Sequence, residues 1–371
     1  MPRFVLLYAA MFAAYGVASP FLPAFLNQRG VTPDELGLVL AAGTAIRLVA
    51  APVAARIGDL TQALRIVLVA CIAAAAAVTL GYLPAHGFGP FLLLTLLHAA
   101  FLAPMTVLSD ALALASSRRQ RFEYGRVRGT GSAAFIAGTL LSGQLVGALG
   151  LAAIVWSQAS LLALAALAAR RVPELAHEKP AAPSGGGVGA LLRIPLYASL
   201  LLAAALILGS HAMHDAFAMI RWSAAGVSPA ASSALWSLAV VAEVVVFFAI
   251  GPPLIARLTP AGAIALASLA GALRWAVMAQ TTSLAALALI QPLHGITFAL
   301  FHLACMRLIA RIVPPGLEGT AQALYATGAG LATALLILLS GFLYSRWGAQ
   351  GFWAMAALCV VAFPLALKLR S

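Results

Sequence analysis

The chain has 371 residues, of which 63% are hydrophobic and only 9% are charged, and its mean hydropathy is +1.02. A soluble domain of this length needs far more charge to cover its surface, so the composition excludes the ordinary soluble classes and indicates a chain whose main solvent is lipid. The net charge of +12 is compatible with nucleic-acid binding or with a membrane protein that has basic loops, and its distribution has to decide between the two.

A membrane-spanning helix needs about 20 apolar residues, and segments of this kind recur along almost the whole sequence. We predict twelve spans, at 3–25, 36–56, 64–83, 89–114, 129–149, 151–169, 195–218, 233–256, 260–280, 282–308, 317–343 and 350–368. The first span is too long for a cleavable signal peptide and lacks a small-residue cleavage site, so we expect it to be retained. The pattern predicts an all-α membrane protein.

The basic residues fall mainly on one side of this arrangement. With the N-terminus placed inside, seventeen of the 22 Lys and Arg residues lie at cytoplasmic helix ends and loops. Three lie in outer loops, and two, Arg47 and Arg274, lie inside spans. This asymmetry follows the positive-inside rule and predicts a multi-pass protein of a bacterial inner membrane with both termini in the cytoplasm. The basic charge therefore orients the protein in the membrane, where it can contact anionic lipid, and no nucleic-acid partner is expected.

The longest hydrophilic interruption runs from Arg170 to Arg193 and contains prolines and the run Gly185–Gly187. Such a composition buries too little apolar surface to fold and is typical of a flexible linker. It divides the spans six and six, so we predict an N-terminal half at 1–170, a cytoplasmic linker at 171–194 and a C-terminal half at 195–371. Two six-helix halves with a substrate site near the midplane are typical of secondary transporters.

Glycine is dense in the predicted fifth and eleventh spans, which occupy equivalent positions in the two halves. Small residues let helix backbones approach closely in membranes, so we expect these two helices to pack tightly against their neighbours. The glycines concerned are Gly129, Gly131, Gly138, Gly143, Gly147, Gly328, Gly330 and Gly341.

Charged residues inside spans are candidate functional groups, because a charge at the centre of a spanning helix costs about 2.5–3.5 kcal/mol. Arg47 lies near the middle of the second span and Glu243 midway along the eighth. Asp110, Asp215 and Arg274 lie toward the ends of the fourth, seventh and ninth spans. The alternative for each of them is a structural ion pair within the membrane.

Histidines and aromatic residues accompany these charges. Gln291, His294 and His302 recur on one face of the tenth span. Trp236 shares a helix face with Glu243, and an aromatic ring beside a carboxylate suits a cavity that binds a ring and a charge together. The lone histidine of the fourth span, at position 98, is predicted to pack between helices with its hydrogen bonds satisfied.

The link after the fourth span carries the most specific pattern, RRQRFEYGRVRGTGS at 118–132 with Asp110 before it. It resembles lactose permease, and the resemblance implies that Asp110 and Arg128 hold sugar hydroxyls. It also implies that Glu243, Arg274 and His294 match the essential carboxylate, arginine and histidine of the eighth, ninth and tenth helices.

A nearer resemblance, over nearly the whole chain, is to the phenylpropionate permease family of the major facilitator superfamily. It rests on GSHA at 209–212, LWSL and VAEV at 235–244, LRW at 273–275, QPLHGITF at 291–298 and QALY at 322–325. The resemblance implies the major facilitator fold, with twelve helices in two halves, and transport of a small organic solute.

Three departures from lactose permease refine this interpretation. Phe135 stands where that permease has a tryptophan that stacks on the sugar, and Thr297 stands where it has a proton-carrying glutamate. Both changes count against a disaccharide and leave the proton route open. The loop GDLTQALR at 58–65 is a degraded form of the superfamily's gating signature, in which Asp59 and Arg65 survive.

We therefore predict a secondary active transporter for proton-coupled uptake of a small aromatic or arylalkyl carboxylate by alternating access. Arg47 or Arg128 would pair with the carboxylate, because a guanidinium offers it two parallel hydrogen bonds. The predicted substrate-binding residues are Arg47, Asp110, Arg128, Phe135, His211, Trp236, Gln291 and Phe298. The predicted proton-coupling residues are Glu243, His294 and Arg274, and the predicted gating residues are Asp59 and Arg65.

Several alternatives stay open. If Asp110 and Arg128 serve hydroxyls, the solute is a sugar or a nucleoside. The protein is otherwise an uncoupled facilitator or exchanger, an exporter, or a sensor that binds without transport. The sequence contains no phosphate loop, nucleophile elbow or metal-like cysteine spacing, so we expect no enzyme activity, no cofactor and no metal. We expect a monomer whose partners are the solute, protons and lipid.

Overall fold

The computed structural model describes residues 1–120, 122–174 and 187–369, and these residues are almost entirely helical. The first seven helices are α1 Pro2–Ala18, α2 Leu22–Gln28, α3 Pro33–Thr61, α4 Leu64–Gly81, α5 Phe88–Gln120, α6 Tyr124–Leu149 and α7 Ala153–Ala169. The others are α8 Gly187–Leu192, α9 Pro195–Gly209, α10 Ala212–Ala224, α11 Pro229–Val245, α12 Gly251–Gln280, α13 Leu284–Ile290, α14 Phe301–Ile312, α15 Glu318–Trp347 and α16 Phe352–Lys368. The prediction of an all-α chain is confirmed.

Local sequence explains where the helices start and break. Thr32 caps α3 through a capping box with Glu35, and Pro33 occupies the first turn, where it loses no hydrogen bond. The long helix α12 is broken at Thr259, which has a φ of 65° and is followed by Pro260. Helix breaks of this kind divide long apolar runs of sequence into separate helical segments.

Within the described residues, length and composition identify eight helical runs able to cross a membrane, or nine if the bent pair α1 and α2 is one span. Two of the eight, Pro229–Gln280 and Glu318–Lys368, are 52 and 51 residues long, which is more than twice the roughly 20 residues a span needs. The first contains the break at Thr259 and the second contains the turn Gly348–Gly351. Helices therefore cover most of each predicted span. The number of spans, predicted as twelve, does not follow from helix length and composition alone.

Large apolar side chains lie on the outside of these helices. Phe248 is 80% exposed, Leu289 79% and Leu149 71%. A water-soluble surface would not keep such residues exposed in number, whereas lipid solvates them well. The protein is a multi-pass membrane protein.

The described chain forms two compact units, the first Met1–Ala181 with Gly226–Ala234 and the second Ala182–Ala225 with Leu235–Ser371. In the first, α1 packs against α6 and α7, and α5 packs against α3 and α4. In the second, α16 packs against α9 and α12, and α15 against α9 and α10. The predicted halves and linker boundaries stay a prediction, because 175–186, half of the predicted linker, lies outside the described residues, as does Arg121 of the 118–132 motif.

Close helix approach is clearest between α1 and α6. A side chain at Gly138 would come within 2.5 Å of the Ala13 carbonyl oxygen, and one at Gly16 would overlap the backbone of Phe135. The glycine prediction also holds at Gly131 and Gly143, which face Phe12 and Ser233. It does not hold at Gly129, Gly147 and Gly328, beside which there is open space.

Replacing Gly138 by valine is therefore expected to destabilise the protein by about 1–3 kcal/mol, because α1 and α6 must separate to admit the side chain. The matched control is Gly147→Val, on the same helix but beside open space. The measurement is the thermal midpoint of both purified variants in detergent. Equal midpoints for the two variants would show that the α1–α6 contact is not tight.

Candidate functional site

The first unit contains a cavity of about 520 Å³ lined by α1, α3, α5, α6 and α7. Its aromatic wall is Phe12, Tyr15 and Phe135. Its basic groups are Arg47 and Arg128. A cavity of this size with aromatic walls and few polar groups has the character of a small-molecule site.

Arg47 projects from α3 into this cavity. Among the described residues its guanidinium makes no hydrogen bond and no ion pair, although it lies near enough to the Tyr15 and Tyr82 hydroxyls for electrostatic interaction. A guanidinium carries five N–H donors and no acceptor. The cavity therefore contains a cation whose hydrogen-bonding capacity the protein leaves unused.

The second arginine of the cavity is held differently. The guanidinium of Arg128 lies over the Phe12 ring, 4.6 Å from its centroid. A cation on an aromatic face is stabilised by the ring quadrupole. Arg128 is thus anchored on the aromatic wall, whereas Arg47 is free to bind an anion.

Asp110 is not brought to Arg128. Its carboxylate accepts hydrogen bonds from the hydroxyls of Tyr8 and Tyr124, the latter at 2.8 Å, and it does not line the cavity. The joint site for sugar hydroxyls implied by the resemblance to lactose permease is not formed in the described chain, since Oδ1 of Asp110 bonds two tyrosines outside the cavity while Arg128 lies over Phe12 within it. No spacing in the sequence predicts this arrangement, because Tyr8 lies on α1, far from Asp110 in the chain.

The second unit contains a buried polar cluster centred on Arg274. This side chain is 0% exposed, donates to the Gln291 side-chain oxygen at 2.8 Å and lies 3.1 Å from Nδ1 of His294. Because arginine only donates, Nδ1 of His294 accepts and a neutral ring carries its proton on Nε2. That nitrogen lies 3.3 Å from the carboxylate of Glu243. All three predicted proton-coupling residues are therefore in one chain of contacts.

Thr297 is tied to His211. Nδ1 of His211 lies 3.0 Å from the Ile207 carbonyl oxygen, to which it can only donate, so Nε2 accepts. The Thr297 hydroxyl lies 3.0 Å from that Nε2 and donates to it. Thr297, which stands where lactose permease has a glutamate, thus orients the buried His211 ring. His211 also contacts the ring of Trp275.

The cluster extends to His214, which was not predicted, and to Asp215, which was predicted only as a candidate functional charge. The side-chain nitrogen of Gln291 lies 3.5 Å from Nε2 of His214, whose Nδ1 lies 3.3 Å from the carboxylate of Asp215. His214 stacks on Trp236 with ring centroids 4.9 Å apart. The sequence feature that could have indicated this part of the cluster is a histidine three residues after His211 with an acidic residue beside it. Contacts therefore run without a gap from Asp215 to Glu243.

Two π-helical segments shape this region. Val246–Ile250 follows Glu243, and Gly295–Leu300 follows His294. They meet closely, because a side chain at Gly295 would lie 2.8 Å from the Val246 side chain. Single-turn π segments often occur at functional sites, where they re-aim side chains. Here they follow the two members of the Glu243–His294 pair.

The other predicted residues lie at the edges. Phe298 stacks on His294 with centroids 5.4 Å apart and is 36% exposed, so it has room for a further contact. Arg65 forms an ion pair with Glu174 at 3.5 Å, and the backbone oxygen of Asp59 accepts from Gln62 at 2.7 Å. The gating role of Asp59 and Arg65 stays a prediction.

Comparison with known proteins places these features in a family. Residues 3–355 match the MFS_1 like family. A probable 3-phenylpropionic acid transporter of Escherichia coli (strain K12) is 34% identical over 371 residues, covering 97% of this chain and 96% of the relative. A maltose permease of Geobacillus stearothermophilus is 26% identical over 368 residues, covering 99% and 93%.

Solved structures share the fold. The nucleoside transporter NupG superposes with a TM-score of 0.88 at 15% identity, covering 100% of this chain and 98% of that one. A bacterial homologue of the human lysosomal transporter Spinster gives 0.71 at 16% identity, covering 99% and 95%. At these identities the likeness concerns the fold alone, and it confirms the predicted major facilitator architecture.

Proposed function

The chain belongs to the MFS_1 like family of secondary transporters, and from this premise we propose that it takes up a small aromatic or arylalkyl carboxylate together with a proton by alternating access. The observation that carries the proposal is Arg47. A charge in the middle of a span is costly to keep, and no residue of the described chain pairs with it. A substrate carboxylate would pair with it through two parallel hydrogen bonds.

The walls of the cavity support the aromatic part of the proposal. Phe12, Tyr15 and Phe135 line it together with Arg47, and a volume of about 520 Å³ lies within the roughly 300–1,000 Å³ of small-molecule sites. The Escherichia coli relative is named for 3-phenylpropionic acid, which is an arylalkyl carboxylic acid of this kind. We assign the carboxylate to Arg47 and the ring to the aromatic wall.

The sugar or nucleoside alternative is less well supported. It requires Asp110 and Arg128 to offer their polar atoms to hydroxyl groups of the solute. Asp110 instead accepts hydrogen bonds from two tyrosines, and Arg128 lies over Phe12. Asp110 also lies outside the cavity that Arg128 lines, so the two residues do not offer their polar atoms to one solute in this cavity.

The proton is assigned to the cluster of the second unit. Arg274 fixes the His294 ring so that its Nε2 faces Glu243, which makes the carboxylate a site where a proton can be taken up and given back. A monoanion carried with one proton moves no net charge, so the membrane potential, worth about 2.3 kcal/mol per charge per 100 mV, would add nothing.

Transport tests this proposal directly. 3-Phenylpropionic acid crosses lipid in its neutral form, so a probe that stays charged is needed. We choose 3-phenylpropane-1-sulfonate. A competition experiment first has to show that the sulfonate binds where the carboxylate binds. In proteoliposomes we expect a gradient of one pH unit, alkaline inside, to drive about tenfold accumulation, since that gradient is worth about 1.4 kcal/mol per proton. A membrane potential alone should drive none, and protein-free liposomes are the control.

Other outcomes identify the alternatives. Exchange without accumulation would indicate an uncoupled facilitator or exchanger. Binding of both ligands without any flux would indicate a sensor. Binding of sugars or nucleosides with no binding of either aromatic anion would contradict the proposed substrate class.

A further inference from the structure

The cavity of the first unit contains more unpaired polar groups than a carboxylate needs. His98 is 3% exposed, and its buried Nε2 has no hydrogen-bond partner among the described residues. Gln158 is also 3% exposed, and its side chain makes no hydrogen bond within the described chain. Both line the same cavity as Arg47. The prediction that His98 is a satisfied packing histidine is therefore wrong.

The absence of partners is not a general property of this region. The Tyr15 hydroxyl, which also lines the cavity, donates to the Leu102 carbonyl oxygen at 3.1 Å. The Tyr82 hydroxyl lies 3.2 Å from that of Thr95, and its ring meets the His98 ring edge-on with centroids 5.5 Å apart. The His98 ring is thus fixed by packing while its nitrogen stays unpaired.

Buried polar atoms are normally hydrogen-bonded, because leaving one unpaired costs free energy of folding. Exceptions point to an absent partner. The His98 nitrogen is such an exception. The exposed Arg47 side chain from α3 and the Gln158 side chain from α7 reach the same cavity without a hydrogen bond in the described chain, so unpaired groups line the cavity from three helices. Arg47 and His98 are near enough to interact electrostatically.

We propose that His98 and Gln158 form a second polar subsite, which binds a neutral hydrogen-bonding substituent, a hydroxyl, on the aromatic carboxylate held by Arg47. This inference rests on the proposed function and narrows its substrate class. A neutral imidazole and a carboxamide each offer both a donor and an acceptor, and a hydroxyl offers both in return. A second anionic group is not favoured, because the cation that acts on His98 within the described chain is Arg47, which is already assigned to the carboxylate.

The test is a matched ligand pair on the purified full chain in detergent. The ligands are 3-phenylpropionate and its ring-hydroxylated analogues, and affinity is measured by calorimetry and by thermal shift. We expect the parent to bind one hydroxylated isomer at least about tenfold more tightly than the unsubstituted acid, as for a ligand that satisfies buried polar groups. Gln158→Met and His98→Phe should each reduce that ratio toward one, with the affinity for 3-phenylpropionate changed by less than about threefold.

The control variant is Leu102→Met, which lines the same cavity without a polar side chain and should retain the preference. If either test variant fails to fold, as judged by its ligand-free thermal midpoint, Gln158→Leu or His98→Leu replaces it. A parent with no preference for any hydroxylated isomer overturns the second subsite without any variant, as does a preference that survives both substitutions. In either case, the proposed function stands if 3-phenylpropionate still binds and if its binding depends on Arg47. Failure of every carboxylate to bind would overturn both.

Discussion

Arg47→Gln is expected to weaken binding of 3-phenylpropionate by roughly 10- to 140-fold, because hydrogen bonds to a charged partner are worth about 1.5–3 kcal/mol and each 1.4 kcal/mol is tenfold. Binding of 3-phenylpropionamide should change by less than about threefold, since the amide has no charge to pair. The measurement is calorimetric titration of parent and variant with both ligands at one salt concentration.

Two further variants locate the effect. Arg47→Lys keeps the charge but loses the planar pair of donors, so its affinity for the acid should fall between those of the parent and Arg47→Gln. Arg128→Gln removes a guanidinium that lies over Phe12, and it should weaken acid and amide by similar small factors. Equal losses of acid and amide in Arg47→Gln would show that Arg47 has a structural role and does not bind the anion.

The fold was predictable because its signals are local. Apolar segments of spanning length, a hydrophilic linker and an asymmetry of basic residues all depend on nearby residues in the chain. Arg47 was predictable for the same reason, since one guanidinium in an apolar span has no low-cost position facing lipid. The break at Thr259 was predicted as a short link, because Pro260 follows it.

The contents of the site were less predictable, because they depend on which helices meet. Asp110 binds Tyr8 of α1 and Tyr124 of α6 rather than Arg128, and no spacing in the sequence brings those residues together. His98 had the residue type and position of an ordinary packing histidine. Only its place beside the cavity, with an unpaired nitrogen, distinguishes it.

Glu243 and His294 illustrate an intermediate case. The resemblance implied that they act together, and the structure places them 3.3 Å apart. The link from Gln291 to His214 and Asp215 was missed, although all three residues lie in spans. Residues on different helices are brought together by tertiary packing, which one sequence does not encode in any short pattern.

Glu243→Gln is expected to abolish accumulation driven by a pH gradient, because the amide keeps the size of the carboxyl group and its ability to accept a hydrogen bond but does not take up a proton at physiological pH. Its oxygen can still accept from Nε2 of His294, so the bonds of Arg274 to His294 and Gln291 should survive. Accumulation of 3-phenylpropane-1-sulfonate at a gradient of one pH unit should fall from about tenfold to none.

Exchange separates the loss of coupling from the loss of binding. With equal pH on both sides, exchange of labelled for unlabelled sulfonate requires substrate movement but no net proton transfer, and Glu243→Gln should retain it within about threefold of the parent. Asp215→Asn is the matched control, because Asp215 lies at the far end of the same chain of contacts and its loss should leave accumulation largely intact. Accumulation by Glu243→Gln equal to that of the parent would show that the proton is carried elsewhere. Loss of accumulation in Asp215→Asn as well would show that the proton depends on the whole cluster around Arg274. A parent that exchanges but never accumulates would identify an uncoupled carrier, in which Thr297 replaces the glutamate of lactose permease because no proton has to be carried.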